Sequence, residues 1–203
     1  VFIVLVAGIV ASGFFFYGNY KRHFRVEIER QLSAVAALKV NELVAWRAER
    51  LADASIFFKN ASFSGLVRQL LEKPKHSAAR DQLRTWLSHI QESYGYDRVF
   101  LLDVHGVERL SAPDTSEPVA AHLLEQAPDI LRSGRVTFVD FHRDAPDGPI
   151  HMSVLVPVLD GEEDTGAMGI LVFRIDPEKY LYPYISRWPT PSRTAETLIV
   201  RRD

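Results

Sequence analysis

Ile150-His151-Met152-Ser153-Val154-Leu155-Val156-Pro157-Val158-Leu159 and Ala167-Met168-Gly169-Ile170-Leu171-Val172-Phe173-Arg174-Ile175-Asp176 are two apolar runs. The polar, turn-rich segment Asp160-Gly161-Glu162-Glu163-Asp164-Thr165-Gly166 separates them. A third run, Val136–Arg143, precedes them across Asp144-Ala145-Pro146-Asp147-Gly148-Pro149. Short runs rich in β-branched and aromatic residues, bounded by Gly, Pro and Asp, read as strands. Their short polar connections predict an antiparallel meander.

Upstream, Val99-Phe100-Leu101-Leu102-Asp103-Val104 meets His105-Gly106 and resumes at Val107-Glu108-Arg109-Leu110, a hairpin pattern with Gly at the turn. Between hairpin and meander, Ser116 and Pro118 predict the start of a helix carrying Val119, Leu123 and Leu124. Pro128 is expected to restart it, and Ser133-Gly134 to end it. After the meander, Asp176-Pro177-Glu178 predicts a final helix through Tyr184. Trp188-Pro189-Thr190-Pro191-Ser192 is a stiff break, and Glu196–Val200 begins a strand whose partner is not expected in this chain.

Val1 to Tyr20 carries no charge, and Lys21-Arg22-His23 with Arg25 comes immediately after. An apolar run of about 20 residues can cross a bilayer as a helix. A cleaved signal peptide is the rival, with small residues at Ala11-Ser12-Gly13, but Phe14-Phe15-Phe16 continue the apolar stretch and favour an uncleaved anchor. The chain opens on Val1, so further residues are expected before the span. The basic cluster after the span, taken alone, favours a cytoplasmic side for the rest of the chain.

From Phe24 to about Phe58 the spacing is helical: Phe24, Ile28, Leu32, Val35, Leu38, Leu43, Trp46, Ala54 and Phe57 fall near three- and four-residue spacing. About 35 residues of helix would span roughly 50 Å. That length fits a stalk or a dimerising strut, and equally one long surface helix of a monomer. A second helix is expected near Phe63–Leu71, and a third capped by Ser77 with Ala79, Leu83, Trp86, Leu87 and Ile90 on one face.

Composition sets further bounds. With 47% hydrophobic and 25% charged residues the chain is an ordinary folded protein. A net charge of −2 gives no global footprint for nucleic acid. There is no cysteine, which excludes disulfides, thiolate catalysis and cysteine zinc sites.

The order is membrane span, long helix, strand pair, helix, three-stranded meander, helix. It resembles the Cache (PAS-like) extracytoplasmic sensor domains of bacterial membrane receptors. Arg98-Val99-Phe100-Leu101-Leu102-Asp103-Val104-His105-Gly106 looks like the "strand, Asp, turn Gly" hairpin that opens such sheets. Gly169-Ile170-Leu171-Val172-Phe173-Arg174-Ile175-Asp176-Pro177 is similar to the last strand entering the exit helix. Arg187 to Thr197 looks like the linker to a second, membrane-proximal module in double-Cache sensors of PAS-containing histidine kinases.

The resemblance implies an α+β fold: an N-terminal transmembrane helix, a long amphipathic helix, and a PAS-like antiparallel sheet flanked by helices. The expected division is a span at residues 1–20, a stalk with accessory helices at 21–92, and a Cache module at 93–188. Residues 189–203 are the linker and first strand of a truncated second module. The chain is then part of a longer receptor in the inner (cell) membrane with its soluble part extracytoplasmic, against the visible charge bias. It binds a small molecule, forms a homodimer, contacts no nucleic acid and needs no cofactor. A histidine kinase is the expected output, with a diguanylate cyclase or chemoreceptor next. A membrane-anchored dimerisation or assembly protein is the alternative of a different class.

In that family ligand sits between the sheet and its crossing loops. Strand alternation places Phe138, Asp140 and His142 on one face of their strand, and His151, Ser153 and Leu155 on one face of the next. Polar groups inside such strands are unusual, so Asp140, His142, His151 and Ser153 are the ligand-facing candidates. Arg109 and Ser111 on the hairpin, with Phe141 and Arg174, come second. A metal site from Asp140, His142 and His151 ranks low, and none is expected. Arg109, Arg132 or Arg174 suits an anionic ligand. Nucleophile-elbow, Gly-rich, Walker and His-Glu-x-x-His motifs are all missing, so no catalytic residue is named and this region is read as non-enzymatic.

Overall fold

The computed structural model describes residues 1–73, 77–143, 148–160, 166–179, 181–188, 197, 198 and 200. In chain order the elements are α1 (Phe2–Ser55), α2 (Ala61–Glu72), α3 (Ser77–Tyr94), β1 (Arg98–Asp103) and β2 (Glu108–Ala112). They continue with α4 (Ala121–Ser133), β3 (Thr137–Arg143), β4 (Ile150–Leu159), β5 (Ala167–Ile175) and α5 (Leu181–Ile185). The chain divides into two compact units, residues 1–45 with 185–203, and residues 46–184.

The five strands form one antiparallel sheet in the order β2-β1-β5-β4-β3. The expected meander is its β5-β4-β3 half, and the expected hairpin is joined to it through β1–β5. Asp103 organises that hairpin. Its Oδ1 accepts the N–H groups of His105 and Val107, each at 2.9 Å, while Gly106 turns with φ 74°.

Each face of the sheet carries its own layer. On one face Phe100, Leu102, Val139, Leu155, Ile170 and Val172 pack against Leu123, Ala127 and Ile130 of α4. On the other, Phe173 lies 5.8 Å from Phe57 and 5.1 Å from Tyr96, ring centroid to ring centroid, and Phe57 meets Phe63 of α2. Trp46, in α1, meets Phe138 edge to face at 6.2 Å. Buried aromatics of this kind carry about 3–5 kcal/mol each when truncated to Ala.

Four helix expectations need correction. The segments expected as anchor and stalk are one continuous helix, α1, which stops at Ser55 and not at Phe58. Three-residue hydrogen bonds from the N–H groups of Ile56, Phe57 and Phe58 tighten its end, and Lys59, at φ 57°, reverses the chain so that Asn60 can cap α2. Helix α4 begins at Ala121, not Ser116. Glu117 precedes a proline, which disfavours helix, and its carbonyl accepts from Arg98 at 3.0 Å, holding the segment on the sheet. Pro128 lies inside a continuous α4 and does not restart it; Gly134 closes the helix at φ 59°. The final helix begins at Leu181, because Asp176 turns the chain by accepting the Glu178 N–H at 2.9 Å.

Helix α3 starts at Ser77, whose side chain is outside the described residues. Most of the predicted linker and strand at 189–203 also lies outside them; Thr197, Leu198 and Val200 are described and form no strand. In the first unit, Leu32, Val35, Lys39 and Leu43 line a groove of about 440 Å³ with Ile185, Trp188, Leu198 and Val200. Among the described residues, α1 is the one helix long and apolar enough to cross a membrane.

Candidate functional site

Cross-strand pairing decides which side chains meet. Arg98 pairs with Arg174, Arg174 with Ser153, and Ser153 with Val139, so these four positions share the face that α4 covers. The apolar cluster occupies one part of that face. The remainder is polar.

Irregular register between Val139 and His142 alters the expected alternation. His142 pairs with His151, two residues before Ser153. The extra residues of a bulge bring His142 onto the face of Val139 rather than that of Phe138, which instead points to Trp46. His142 Nε2 lies 3.5 Å from Ser153 Oγ, and its ring centroid is 6.4 Å from that of His151. His122 of α4 covers this pair, 4.0 Å from the His142 ring.

Beside the imidazoles lies a network of ions. Arg174 donates to Asp97 through Nε at 2.8 Å and to Glu117 through Nη2 at 2.7 Å. Lys179 reaches the same Asp97 carboxylate at 2.9 Å, and His151 Nε2 stands 3.8 Å from it. Arg98, buried to 1% exposure, bonds both oxygens of Glu108 at 2.8 and 2.7 Å, and Ser111 Oγ at 3.3 Å. Burial works against the Asp97 charge, but the Lys179 ammonium and Arg174 guanidinium outweigh it and hold its carboxyl below the usual range. Burial likewise opposes the Arg174 charge; its bonds to Glu117 and Asp97 raise its pKa in spite of that.

Of the predicted residues, His142, His151, Ser153, Ser111 and Arg174 lie on this one face. Three do not join them. Asp140 is exposed in the bulge, where its carboxylate accepts the Phe141 N–H at 2.8 Å. Phe141 stacks on Tyr182 at 6.5 Å. Arg109 is bound to Asp103 at the hairpin, with Nε 2.7 Å from Oδ2.

Sequence reasoning missed Asp97, Arg98, Glu117, Glu108, His122 and Lys179. Arg98 was readable in principle: it stands two residues before Phe100 in an alternating strand, where its side chain must enter the covered face. Glu108 opens β2 beside an irregular register with β1, and the rest come from loops and a helix, where no period marks them. Among the described residues no group of three or more His, Asp or Glu has metal-holding geometry.

This arrangement of a helix-covered antiparallel sheet recurs in solved structures. The Vibrio cholerae histidine kinase DctB sensor domain superposes with TM-score 0.57 at 16% identity, over 73% of this chain and 55% of that one. The chain has the fold of a Cache-type sensor domain. The ligand-binding domain of the Campylobacter jejuni chemoreceptor Tlp3, in complex with L-valine, matches with TM-score 0.57 at 12% identity, over 76% of this chain and 62% of that one. That of the Pseudomonas aeruginosa amino acid chemoreceptor PctC, in complex with GABA, matches with TM-score 0.52 at 19% identity, over 79% and 68%. The chain thus spans little more than half of the DctB sensor domain. No protein-family model matches it, and no curated protein matches it in sequence.

Proposed function

We propose that this chain is the ligand-sensing part of a membrane-bound receptor, held outside the cytoplasm at the inner membrane by the apolar end of α1. The observation that carries the reading is the polar half of the α4-covered sheet face. Arg98, Arg174, Ser153 and His151 are buried there, with His122 and His142 half-buried beside them, where a structural core would place apolar side chains. Burying such groups is costly unless each is bonded, so a fold that only scaffolds gains nothing from them.

The ligand is a small organic molecule seated between α4 and β3–β4. His142, His151, Ser153 and Arg174 face it, with Asp97, Glu117 and His122 around them; Ser111, on β2 at the far side of the sheet and bonded to Arg98 and the Pro113 carbonyl, lies outside it. Asp140, Phe141 and Arg109 are left out of the site. The two solved chemoreceptor domains hold L-valine and GABA, which makes amino acids and organic acids the first compounds to screen. A histidine kinase is the proposed output, because the DctB sensor domain shares this fold; a chemoreceptor output is the second reading, from PctC and Tlp3. The receptor acts as a homodimer, for which Leu32, Val40 and Val44 offer exposed apolar side chains on α1. The sensing region performs no catalysis itself.

A thermal-shift screen of amino acids, organic acids and amines on the full chain in detergent tests this. A compound that raises the melting temperature, and loses its effect in Ser153→Ala, supports it. A panel without any stabilising compound contradicts it.

A further inference from the structure

One stripe of α1 changes character along its length. Val6, Val10 and Phe14 follow one another at four-residue spacing and, with Ala7, Ala11 and Phe15 beside them, line a wholly apolar groove of about 910 Å³. Gly18 continues the row at the next turn, followed by Lys21 and Arg22 and then by Arg25. These four residues line a second groove of about 280 Å³. Residues three or four apart sit one above another on a helix, so the two grooves form one track. A Cβ on Gly18 would meet nothing within 4 Å, which leaves the step between them open. From Val6 to Phe15 the track runs about 14 Å, close to the roughly 15 Å depth of one hydrocarbon leaflet.

The cations at the end of the track are uncommitted. Among the described residues, Lys21, Arg22 and Arg25 are exposed and form no ion pair and no side-chain hydrogen bond. On the sheet, by contrast, Arg98 is held by Glu108, Arg109 by Asp103 and Arg174 by Asp97 and Glu117. The first acid of the chain, Glu27, comes after the cluster and accepts from Gln31 at 3.1 Å. Arg25 and Glu29, one turn apart, form no ion pair. A second copy of α1 packed in parallel on this track would set each cation near its own equivalent, which like-charge repulsion disfavours. A molecule with an anionic end and an apolar tail matches both grooves.

We propose that this track binds a membrane glycerophospholipid whose headgroup carries a net negative charge. Its phosphate sits among Lys21, Arg22 and Arg25, its glycerol backbone passes Gly18, and an acyl chain lies along Phe14, Val10 and Val6. The inference rests on the reading of α1 as the membrane anchor, and not on the ligand proposed for the sheet. Lysine and arginine make charge-assisted hydrogen bonds to phosphate oxygens. A zwitterionic headgroup offers the same phosphate but adds an ammonium that opposes the three cations. Tyr17 and Tyr20 stand at the same level, where aromatic rings favour the membrane–water boundary. A cation beside an anionic lipid surface strengthens binding about fivefold.

Native mass spectrometry of the full chain in detergent provides the test, with dioleoyl phosphatidylglycerol and dioleoyl phosphatidylcholine as probes of equal chain length. The proposal expects phosphatidylglycerol to bind more tightly by about tenfold or more. Lys21→Gln, Arg22→Gln and Arg25→Gln should each weaken its binding about fivefold and leave phosphatidylcholine unchanged. Arg30→Gln, which removes the same charge from another face of α1, should alter neither lipid. Equal affinity for the two lipids, or an equal loss in all four variants, overturns the inference and leaves the anchor and the sensing function standing. Gly18→Cys reports the rival occupant, because the chain has no other cysteine. Efficient disulfide cross-linking of this variant in vesicles would place a second copy on the track and also overturn the proposal. Flotation separates the remaining case: a chain that stays with vesicles of neither lipid removes the anchor and this inference together.

Discussion

Arg174 holds Asp97 through two nitrogens, with Nε at 2.8 Å and Nη2 at 2.6 Å from the same oxygen. The pair ties the end of β5 to the entry of β1, and Lys179 and Glu117 extend it to the exit of the sheet and the approach to α4. Arg174→Met would leave Asp97 and Glu117 without the guanidinium while keeping most of the side-chain volume. Breaking a buried pair costs about 3–5 kcal/mol, but Glu117 is exposed and screened, so about 2 kcal/mol is expected. Urea unfolding of the two proteins measures it.

Acid stability should report the same carboxylate. Asp97 and Asp103 are both held below the ordinary value of 3.8; for Asp103, burial is outweighed by the N–H groups of Val107 and His105 and by Arg109. A depressed folded pKa gives stability that is fully present above the unfolded value and lost as pH falls through the folded one. The stability gap between wild type and Asp97→Asn should therefore be constant from about pH 5 to 7 and close below about pH 3.5. A gap that persists at low pH would show that the Asp97 charge is not its source.

The hairpin should depend on Asp103 far more than on its ionic partner. Asp103 is 4% exposed and bonds two backbone N–H groups, whereas the Arg109 side chain is 41% exposed. Asp103→Ala is expected to cost about 2–3 kcal/mol, and Arg109→Ala less than about 1 kcal/mol. Chemical denaturation of both variants separates the two roles.

Gly169 is fixed by space. It pairs with Asp103, and a Cβ there would stand 2.5 Å from the Leu102 carbonyl oxygen. Gly169→Ala must push β1 and β5 apart, at a cost of about 1–3 kcal/mol. The melting temperature should fall by several degrees.

The absence of cysteine allows a direct test of sidedness. His105→Cys places one thiol on the exposed hairpin turn. An impermeant maleimide should label it in intact spheroplasts if the sheet lies outside the cytoplasm, and only after lysis if the basic cluster at Lys21–Arg25 decides the orientation.

How much of this was legible in the residues depends on the signal each element leaves. The strands were, because runs such as Ile150–Leu159 combine β-branched residues with Gly, Pro and Asp borders; β4 has those same limits in the structure. The face of His142 was not. A bulge between Val139 and His142 breaks the period of two, and nothing in the local composition announces it. Ser116 and Pro118 looked like a helix start because side-chain capping is local, while the contact that holds Glu117 extended comes from Arg98, far along the chain. Five of the eight proposed ligand contacts share the covered face, since strand alternation finds polar residues on strands; Asp97, Glu117 and His122 lie on loops or α4 and required the tertiary structure.

The central claim is that ligand binds between α4 and the β3–β4 edge. Hydrogen–deuterium exchange on the full chain, with and without the best stabilising compound, tests it most directly. The account predicts new protection in residues 117–124 and 139–153, with little change in α2 and α3. Protection confined to α2 and α3, or to the groove between α1 and Trp188, would contradict it.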